Sequence, residues 1–158
     1  MPLGELSAMT DAHPADALFS ALKREEGFSA YCYMCPAGAH SVGYGRNIDG
    51  NGGLGITKAE AEMLLRNDVA RVFAECDARY PWFDELDSAR QTVVAQLAFQ
   101  LGMPRLSGFV RMIAALATRP PDYRLAATEL LDSRYATQVS NRARRLASQL
   151  AHGTFDDT

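Results

Sequence analysis

The sequence predicts an α+β fold in which a small β-ribbon lobe is joined by a long helix to a mainly helical lobe. One short helical pattern is followed, over residues 31–44, by a segment rich in aromatic residues and glycine. Beyond residue 57 the apolar residues recur at helical spacing almost to the end of the chain. Strands and helices do not alternate, so a parallel α/β fold is excluded.

The length of 158 residues is enough for one domain with a sizeable core. We expect residues 1–12 to form a flexible tail and residues 13–158 to form a single domain. Within that domain, residues 13–80 should form the smaller lobe and residues 81–158 the helical lobe.

Local signals place the elements of the first lobe. Apolar spacing predicts a helix from Ala15 to Glu26, and Gly27 is a suitable stop. Residues 31–44 read as a β-hairpin with a turn at residues 36–38, and the glycine-rich residues 47–55 as a loop.

The long helix begins at a capping box, Thr57-Lys58-Ala59-Glu60, and we expect it to continue to about Tyr80, before Pro81. The remaining predicted helices are Ser88–Leu101, Gly108–Thr118, Asp122–Leu131 and Val139–Ala151.

The charge is unevenly distributed around a net value of −3. Residues 1–87 carry 7 basic and 14 acidic side chains, whereas residues 88–158 carry 9 basic and 5 acidic ones. A basic second half favours a surface for polyanions such as an anionic cell-wall polymer, although solvated helix arginines give the same pattern. The overall acidity and the glycine-rich ribbon argue against a nucleic-acid binder.

Targeting and membrane signals are not recognised in the sequence. No apolar run approaches the ~18 residues that span a bilayer, so we expect no stable membrane insertion. Residues 1–14 lack the basic and apolar regions of a secretory signal, which predicts synthesis and folding in a cytoplasm.

Three cysteines do not make a disulfide framework. Cys32 and Cys35 have the spacing of a redox or metal motif, but no second pair supplies further zinc ligands, so we predict no metal site. A bridge between Cys32 and Cys35 that silences the protein under oxidising conditions is a further hypothesis. It requires a bend near Pro36, because an extended strand points the two side chains to opposite faces.

Glu26, Cys35 and Ser41 are the candidate catalytic residues, because their arrangement can hold an acid, a second reactive group and a hydroxyl around one cleft. Taken singly, Glu26 fits a solvated residue at a helix end, and a serine in a strand is more often structural. At a helix C-terminus and beside Glu25, the Glu26 carboxyl is favoured in its protonated form, as a general acid requires. Ser41 can hydrogen-bond a water molecule. Glycines on both sides of Tyr44 either let the backbone pass close to neighbouring groups or simply permit a bend.

Several motifs in order resemble the phage-type lysozymes, glycoside hydrolase family 24, the T-even phage lysozyme type. The resemblance covers about Ala17 to Phe155. The motifs are Glu26-Gly27, Tyr31, Ser41-Val42-Gly43-Tyr44-Gly45, Gly55-Ile56-Thr57-Lys58-Ala59-Glu60-Ala61-Glu62, Asn67-Asp68-Val69, Phe99-Gln100-Leu101-Gly102, Ser107-Gly108-Phe109, Ser133-Arg134-Tyr135, Asn141-Arg142-Ala143-Arg144-Arg145 and Gly153-Thr154-Phe155-Asp156.

The resemblance implies an endolysin that cleaves the β-1,4 bond between N-acetylmuramic acid and N-acetylglucosamine in peptidoglycan glycan strands. It implies that Glu26 is the general acid and that Ser41 stands where a Thr helps to hold the attacking water. Gln100 and Tyr135 would contact saccharide, and Arg142 would brace the catalytic Glu.

The resemblance also implies a setting for this activity. No metal or organic cofactor is implied, and we expect a monomer. The protein would be made in the host cytoplasm and act on the cell wall after release by a holin, a functional partner only.

Two positions depart from the family. Arg46 stands in place of a His, and we predict that it pairs with Asp68. Cys35 stands in place of the second catalytic Asp.

Three roles for Cys35 follow from its chemistry. A free thiol has a pKa of about 8.5 and is only a few per cent ionised at pH 7. It can act as the weak base of an inverting enzyme or as the nucleophile of a retaining one. In the third case it has no chemical role, and the protein is a weakened module that binds peptidoglycan or a protein partner. Activity is the favoured alternative.

Overall fold

The computed structural model of the protein describes residues 13–155. The tail predicted over residues 1–12 therefore lies outside the described residues. The chain divides into two compact units, the first ending at Ala61 and the second beginning at Glu62. The predicted lobes, 13–80 and 81–158, describe a different division of the chain and stay a prediction.

The first unit begins with helix α1 (Pro14–Glu26). The His13 side chain accepts a hydrogen bond from the Ala15 backbone N–H, and Pro14 occupies the first helical position, where no N–H is needed. At the other end, Gly27 has a positive φ of 67°, a conformation that costs glycine little. The helix therefore ends where the sequence predicts.

A three-stranded antiparallel sheet in the order β1-β2-β3 completes most of the first unit. Its strands are β1 (Ser29–Met34), β2 (His40–Gly43) and β3 (Arg46–Asn47). Tyr33 faces Ser41 across β1 and β2, and the register shifts between Ser29 and Tyr33. The predicted hairpin is thus present, and β3 adds a strand at the edge of the predicted loop.

The turn of the hairpin is fixed by Pro36 and Gly38. The Gly38 N–H donates to the Cys35 carbonyl at 2.8 Å, and the Cys35 N–H donates to the Ala39 carbonyl at 2.9 Å. Gly38 has a φ of 81°, whereas Ala37 has a negative φ. This is a type I turn followed by a left-handed glycine, a common three-residue hairpin loop.

The predicted capping box is confirmed at the start of α2 (Lys58–Arg79). The Glu60 backbone N–H donates to the Thr57 hydroxyl at 3.2 Å, and the Thr57 N–H donates to the Glu60 carboxylate at 2.7 Å. The boundary between the two units falls in the first turn of α2.

The second unit continues with six more helices that enclose the core. They are α3 (Ser88–Leu101), α4 (Met103–Leu106), α5 (Val110–Leu116), α6 (Tyr123–Leu131), α7 (Arg134–Gln138) and α8 (Ser140–His152). Helix α3 is central to the core, since Val93 and Leu97 are completely buried. Truncating such a leucine to alanine typically costs about 2–5 kcal/mol.

The observed order of elements confirms the predicted α+β fold. The bounds of α3 agree with the sequence prediction, because its apolar face is continuous and Asp87 caps its first turn. Helices α4 and α7 were not predicted. With 4 and 5 residues they are too short to show a helical period. None of the helices within residues 13–155 has the length and apolar character needed to cross a bilayer.

Candidate active site

Glu26 is the last residue of α1 and its side chain is exposed. The carboxyl lies against the turn between β2 and β3. A β-carbon built on Gly45 would lie 3.1 Å from Glu26 Oε2, and Gly45 has a φ of 75°. The positive φ favours a glycine at this position, and the Glu26 carboxyl would have to shift slightly to admit a β-carbon there. The sequence left two interpretations open for the glycines on either side of Tyr44. The geometry supports close approach at Gly45, whereas a β-carbon on Gly43 would have nothing within 4 Å and its positive φ of 67° fits a bend.

Cys35 and Ser41 lie on one face of the ribbon. Ser41 is opposite Tyr33, and Cys35 is two residues beyond Tyr33, so the three side chains share a face. Ser41 is 3% exposed, whereas Cys35 is partly exposed. The structure thus brings together two of the three predicted catalytic residues, a thiol and a hydroxyl.

The turn favours the thiolate of Cys35. The backbone N–H of Ala39, and after it that of Ala37, forms a hydrogen bond to the sulfur and lowers the pKa of Cys35. Partial burial raises the pKa of Cys35 and so opposes the effect of these N–H groups. The Ser41 hydroxyl lowers the pKa further by a hydrogen bond to the sulfur. The sequence predicted only the small ionised fraction of an ordinary thiol, because it gave no information on these hydrogen bonds.

Cys32 does not form a bridge with Cys35. Both cysteines are free thiols in the structure. Cys32 lies in β1 between Ser29 and Tyr33, where the pairing register with β2 shifts, so simple alternation of faces does not fix the direction of its side chain. The bridge suggested for oxidising conditions stays a prediction.

The third cysteine, Cys76, has a different environment. It is completely buried in the second unit, and burial, together with the charge of Glu75, raises its pKa to about 11. Cys76 is therefore a core residue without nucleophilic character at neutral pH.

Arg46 links the end of the ribbon to the start of α2 by hydrogen bonds. Its Nε donates to the Gly55 carbonyl at 2.6 Å, and its Nη1 donates to the Glu60 carboxylate at 3.0 Å. In the second unit, Asp68 accepts from Arg71 at 3.3 Å. The pair predicted between Arg46 and Asp68 stays a prediction.

Gln100 and Tyr135 are joined in the second unit. The Tyr135 hydroxyl donates to Gln100 Oε1 at 2.8 Å, and Tyr135 is 5% exposed. Tyr135 contributes to the wall of a cavity of about 750 Å³, formed between the α4–α5 region and the α6–α7 region. These two predicted saccharide contacts therefore lie together beside a cavity that is large enough for a sugar or a short peptide.

The same cavity carries an excess of positive charge. Arg105, Arg111 and Arg134 line it together with a single carboxylate, Glu129. Arg111 pairs with Glu129 at 2.8 Å, which leaves two guanidinium groups without a carboxylate partner among the described residues. Sequence analysis found the excess of arginine in this half of the chain but not its concentration around one cavity.

Arg142 lies in a different depression of the second unit. It lines an apolar groove of about 240 Å³ with residues such as Val69, Phe73 and Phe99. Burial raises the pKa of the Tyr135 phenol, and the charge of Arg142 opposes that rise. Arg142 is thus electrostatically coupled to Tyr135, while its predicted role as a brace for Glu26 stays a prediction.

The fold and the residues of the first unit define a lysozyme-like α+β protein, with a small antiparallel sheet, a helix that ends in a glutamate and a helical second part. The family model for phage lysozyme matches residues 23–148. The chain therefore belongs to the phage lysozyme family.

Two curated relatives are similar to parts of the chain. An endolysin from Acyrthosiphon pisum secondary endosymbiont phage 1 is 34% identical over 82 residues, which cover 52% of this chain and 55% of the endolysin. The pre-baseplate central spike protein Gp5 of Enterobacteria phage T4 is 25% identical over 181 residues, which cover 98% of this chain and 31% of that protein. The chain thus spans about half and about a third of the lengths of these relatives.

Proposed function

We propose that the protein is an endolysin, a muramidase that hydrolyses the β-1,4 bond between N-acetylmuramic acid and N-acetylglucosamine in peptidoglycan. Membership of the phage lysozyme family and similarity to an endolysin support the proposal. The observation that carries it is the position of the Glu26 carboxyl at the end of α1, against Gly45 and in the same unit as Cys35 and Ser41. The first unit thus supplies a proton donor, a polarisable anion and a hydroxyl.

Glu26 is the general acid in this proposal. Its proton passes to the glycosidic oxygen as the bond from that oxygen to C1 of the muramic acid breaks. The leaving sugar departs as an alcohol, and positive charge develops on C1 and the ring oxygen. A negative charge near that ring lowers the barrier.

Cys35 supplies the negative charge. Its lowered pKa increases the thiolate fraction, which favours a chemical role over the role of a bystander. As a base, the thiolate takes a proton from a water molecule whose oxygen attacks C1, and the configuration inverts. As a nucleophile, sulfur bonds to C1. Water then attacks C1, the sulfur–carbon bond breaks, the Glu26 carboxylate takes the proton of the water, and the configuration is retained.

Further roles in this proposal belong to Ser41 and, separately, to residues of the second unit. The Ser41 hydroxyl orients the attacking water and stabilises the neighbouring thiolate. Gln100 and Tyr135 contact saccharide, and the arginine-rich cavity beside Tyr135 suits an anionic wall polymer. The protein would act as a monomer, be made in the host cytoplasm and reach the wall after a holin permeabilises the membrane.

A lysis assay on outer-membrane-permeabilised Gram-negative cells tests the proposal. Wild type should clear the suspension, and Glu26→Gln should lower the rate by about 100-fold or more, because the proton donor is lost. Asp16→Asn is the matched control, since it removes an exposed carboxylate from the first turn of the same helix, away from Glu26, and should keep activity. The proposal is rejected if wild type binds peptidoglycan without cleaving it, which would indicate a binding module.

Variants of Cys35 separate its roles. Cys35→Ser should lower the rate strongly, because a hydroxyl does not ionise near neutral pH, and Cys35→Asp should restore it. NMR of the freshly released reducing end reports inversion or retention. Unchanged lysis by Cys35→Ser would leave Glu26 as the general acid and exclude a chemical role for the thiol.

A further inference from the structure

The aromatic ring of Tyr44 is held between two residues that lie on either side of Glu26 in the sequence. Lys23 Nζ is 5.6 Å from the centroid of the Tyr44 ring and 5.5 Å from that of Phe19. The Phe28 and Tyr44 ring centroids are 5.5 Å apart, with an interplanar angle of 49°. Tyr44 therefore contacts both the last turn of α1 and the segment that follows it.

The residue after Tyr44 is the one that approaches the acid. Gly45 lies so close to Glu26 that an added β-carbon would be 3.1 Å from Oε2. Tyr44 and Gly45 both belong to the turn between β2 and β3. One turn thus contacts α1 at two adjacent points, through a ring at Lys23 and through the backbone at Glu26.

The Glu26 carboxyl has little else to fix its position. Its side chain is exposed, and within residues 13–61 no side chain donates a hydrogen bond to it or forms an ion pair with it. A glutamate at a helix end loses rotamer freedom only where a neighbour restricts it. Contact with the Gly45 backbone is the restriction that the first unit supplies.

We propose that Tyr44, held by Lys23, is a positioning residue for the Glu26 carboxyl. The cation–π contact and the Phe28 ring fix the turn, the turn fixes Gly45, and Gly45 limits where the carboxyl can lie. The same turn connects directly to β2, which carries Ser41. Tyr44 therefore holds the proton donor in a fixed relation to the strand that carries the hydroxyl.

The consequence concerns the chemical step and not substrate binding. The inference rests on the proposed function, in which Glu26 donates a proton in the transition state. A misplaced donor slows that step, by up to about 100-fold for a displacement near 1 Å. Because Tyr44 acts through Glu26, its loss should lower kcat and leave KM nearly unchanged.

The experiment measures kcat and KM of the full chain on solubilised, fluorescently labelled peptidoglycan. Tyr44→Leu should lower kcat at least tenfold with KM within about twofold, and Tyr44→Phe should keep wild-type kcat because the ring face remains. Lys23→Met should lower kcat several-fold, and Lys23→Arg should restore it. Arg24→Met is the matched control. It removes a neighbouring charge of α1 that contacts no aromatic ring among the described residues, and it should change neither constant.

The outcomes distinguish this inference from the proposed function. Wild-type kcat in Tyr44→Leu, with Glu26→Gln inactive, overturns the positioning role and leaves the general acid in place. An active Glu26→Gln overturns the proposed role of Glu26 itself. If circular dichroism shows that Tyr44→Leu does not fold, Lys23→Met decides: wild-type kcat in that variant overturns the inference, and a reduced kcat that Lys23→Arg restores supports it.

Discussion

The carboxyl of Glu26 approaches Gly45 so closely that a β-carbon added at position 45 would lie 3.1 Å from Glu26 Oε2. The acid terminates a helix and the glycine lies in the turn between two strands, so this contact joins the two elements of the first unit that carry the candidate catalytic groups.

Gly45→Ala should reduce activity more than stability. The new methyl group would lie 3.1 Å from Glu26 Oε2 and force the carboxyl to move, while the φ of 75° adds a backbone cost of about 1 kcal/mol. Gly52→Ala is the control, because Gly52 has a φ of 84° with nothing within 4 Å of the added carbon. Both variants should lose similar stability in thermal melts, but only Gly45→Ala should lose most of its lytic rate. Equal rates would show that the contact with Glu26 is irrelevant to catalysis.

Cys35 should be alkylated at a lower pH than an ordinary thiol. Hydrogen bonds from the Ala39 and Ala37 backbones lower its pKa, and the Ser41 hydroxyl contributes. The rate of carbamidomethylation of Cys35, followed by mass spectrometry of its peptide against pH, should therefore rise at a lower pH than that of a model thiol. Ser41→Ala should shift the profile upward. A profile in the wild type that coincides with the model thiol would contradict this prediction.

Cys76 should resist the same reagent until the protein unfolds. Burial raises its pKa to about 11, and the side chain is inaccessible. We expect its peptide to stay unmodified at pH 8 in buffer and to react fully in denaturant. Modification in buffer at a rate close to that of Cys35 would show that the core around α2 opens readily.

The contacts of Glu60 should make the free energy of unfolding depend on pH. The hydrogen bond from the Thr57 backbone N–H makes the largest contribution to lowering the pKa of Glu60. The Thr57 hydroxyl and the charge of Arg46 lower this pKa further. A lowered carboxyl pKa stabilises the folded state above the unfolded value of about 4.3, and this contribution disappears as the pH falls through the folded value. Urea unfolding at pH 7 should therefore show Glu60→Gln to be less stable than wild type, with a difference that shrinks toward pH 3. Asp77 is an exposed carboxylate in the same helix, and Asp77→Asn controls for loss of charge. A constant difference across this range would refute the linkage.

Tyr135→Phe should destabilise the second unit by about 1 kcal/mol, because the Gln100 side chain loses its partner. If Tyr135 also contacts saccharide as proposed, KM for peptidoglycan should rise. Tyr123→Phe is a suitable control, since Tyr123 is also a helix tyrosine of this unit and its ring stacks on Arg90 without needing the hydroxyl. An unchanged stability of Tyr135→Phe would show that water replaces the hydroxyl without cost.

The elements that were predicted correctly are those whose signals are local. The capping box at Thr57 and the α3 bounds depend on residues within one or two turns, and both are confirmed. Helices α4 and α7 were not predicted, because a helix of about one turn is too short to show a repeating spacing of apolar residues.

For the candidate site, the sequence and its resemblance to the phage lysozymes indicated Glu26, Cys35 and Ser41, whose catalytic roles stay a prediction, but not the environment of the thiol. The lowered pKa of Cys35 depends on the direction of two backbone N–H groups, which the residues Pro36-Ala37-Gly38 did not indicate. The partners of Arg46, Gly55 and Glu60, are 9 and 14 residues away from it along the chain, beyond the range of any local pattern.

The hydrogen-bond donors that favour the Cys35 thiolate are mainly backbone N–H groups, and a backbone N–H group is the same in every residue except proline. Substitutions at Ala37 or Ala39 that preserve the hairpin turn would therefore leave this preference intact. Because such donors are not specific for sulfur, we expect the hairpin to favour the ionised side chain of Cys35→Asp as well.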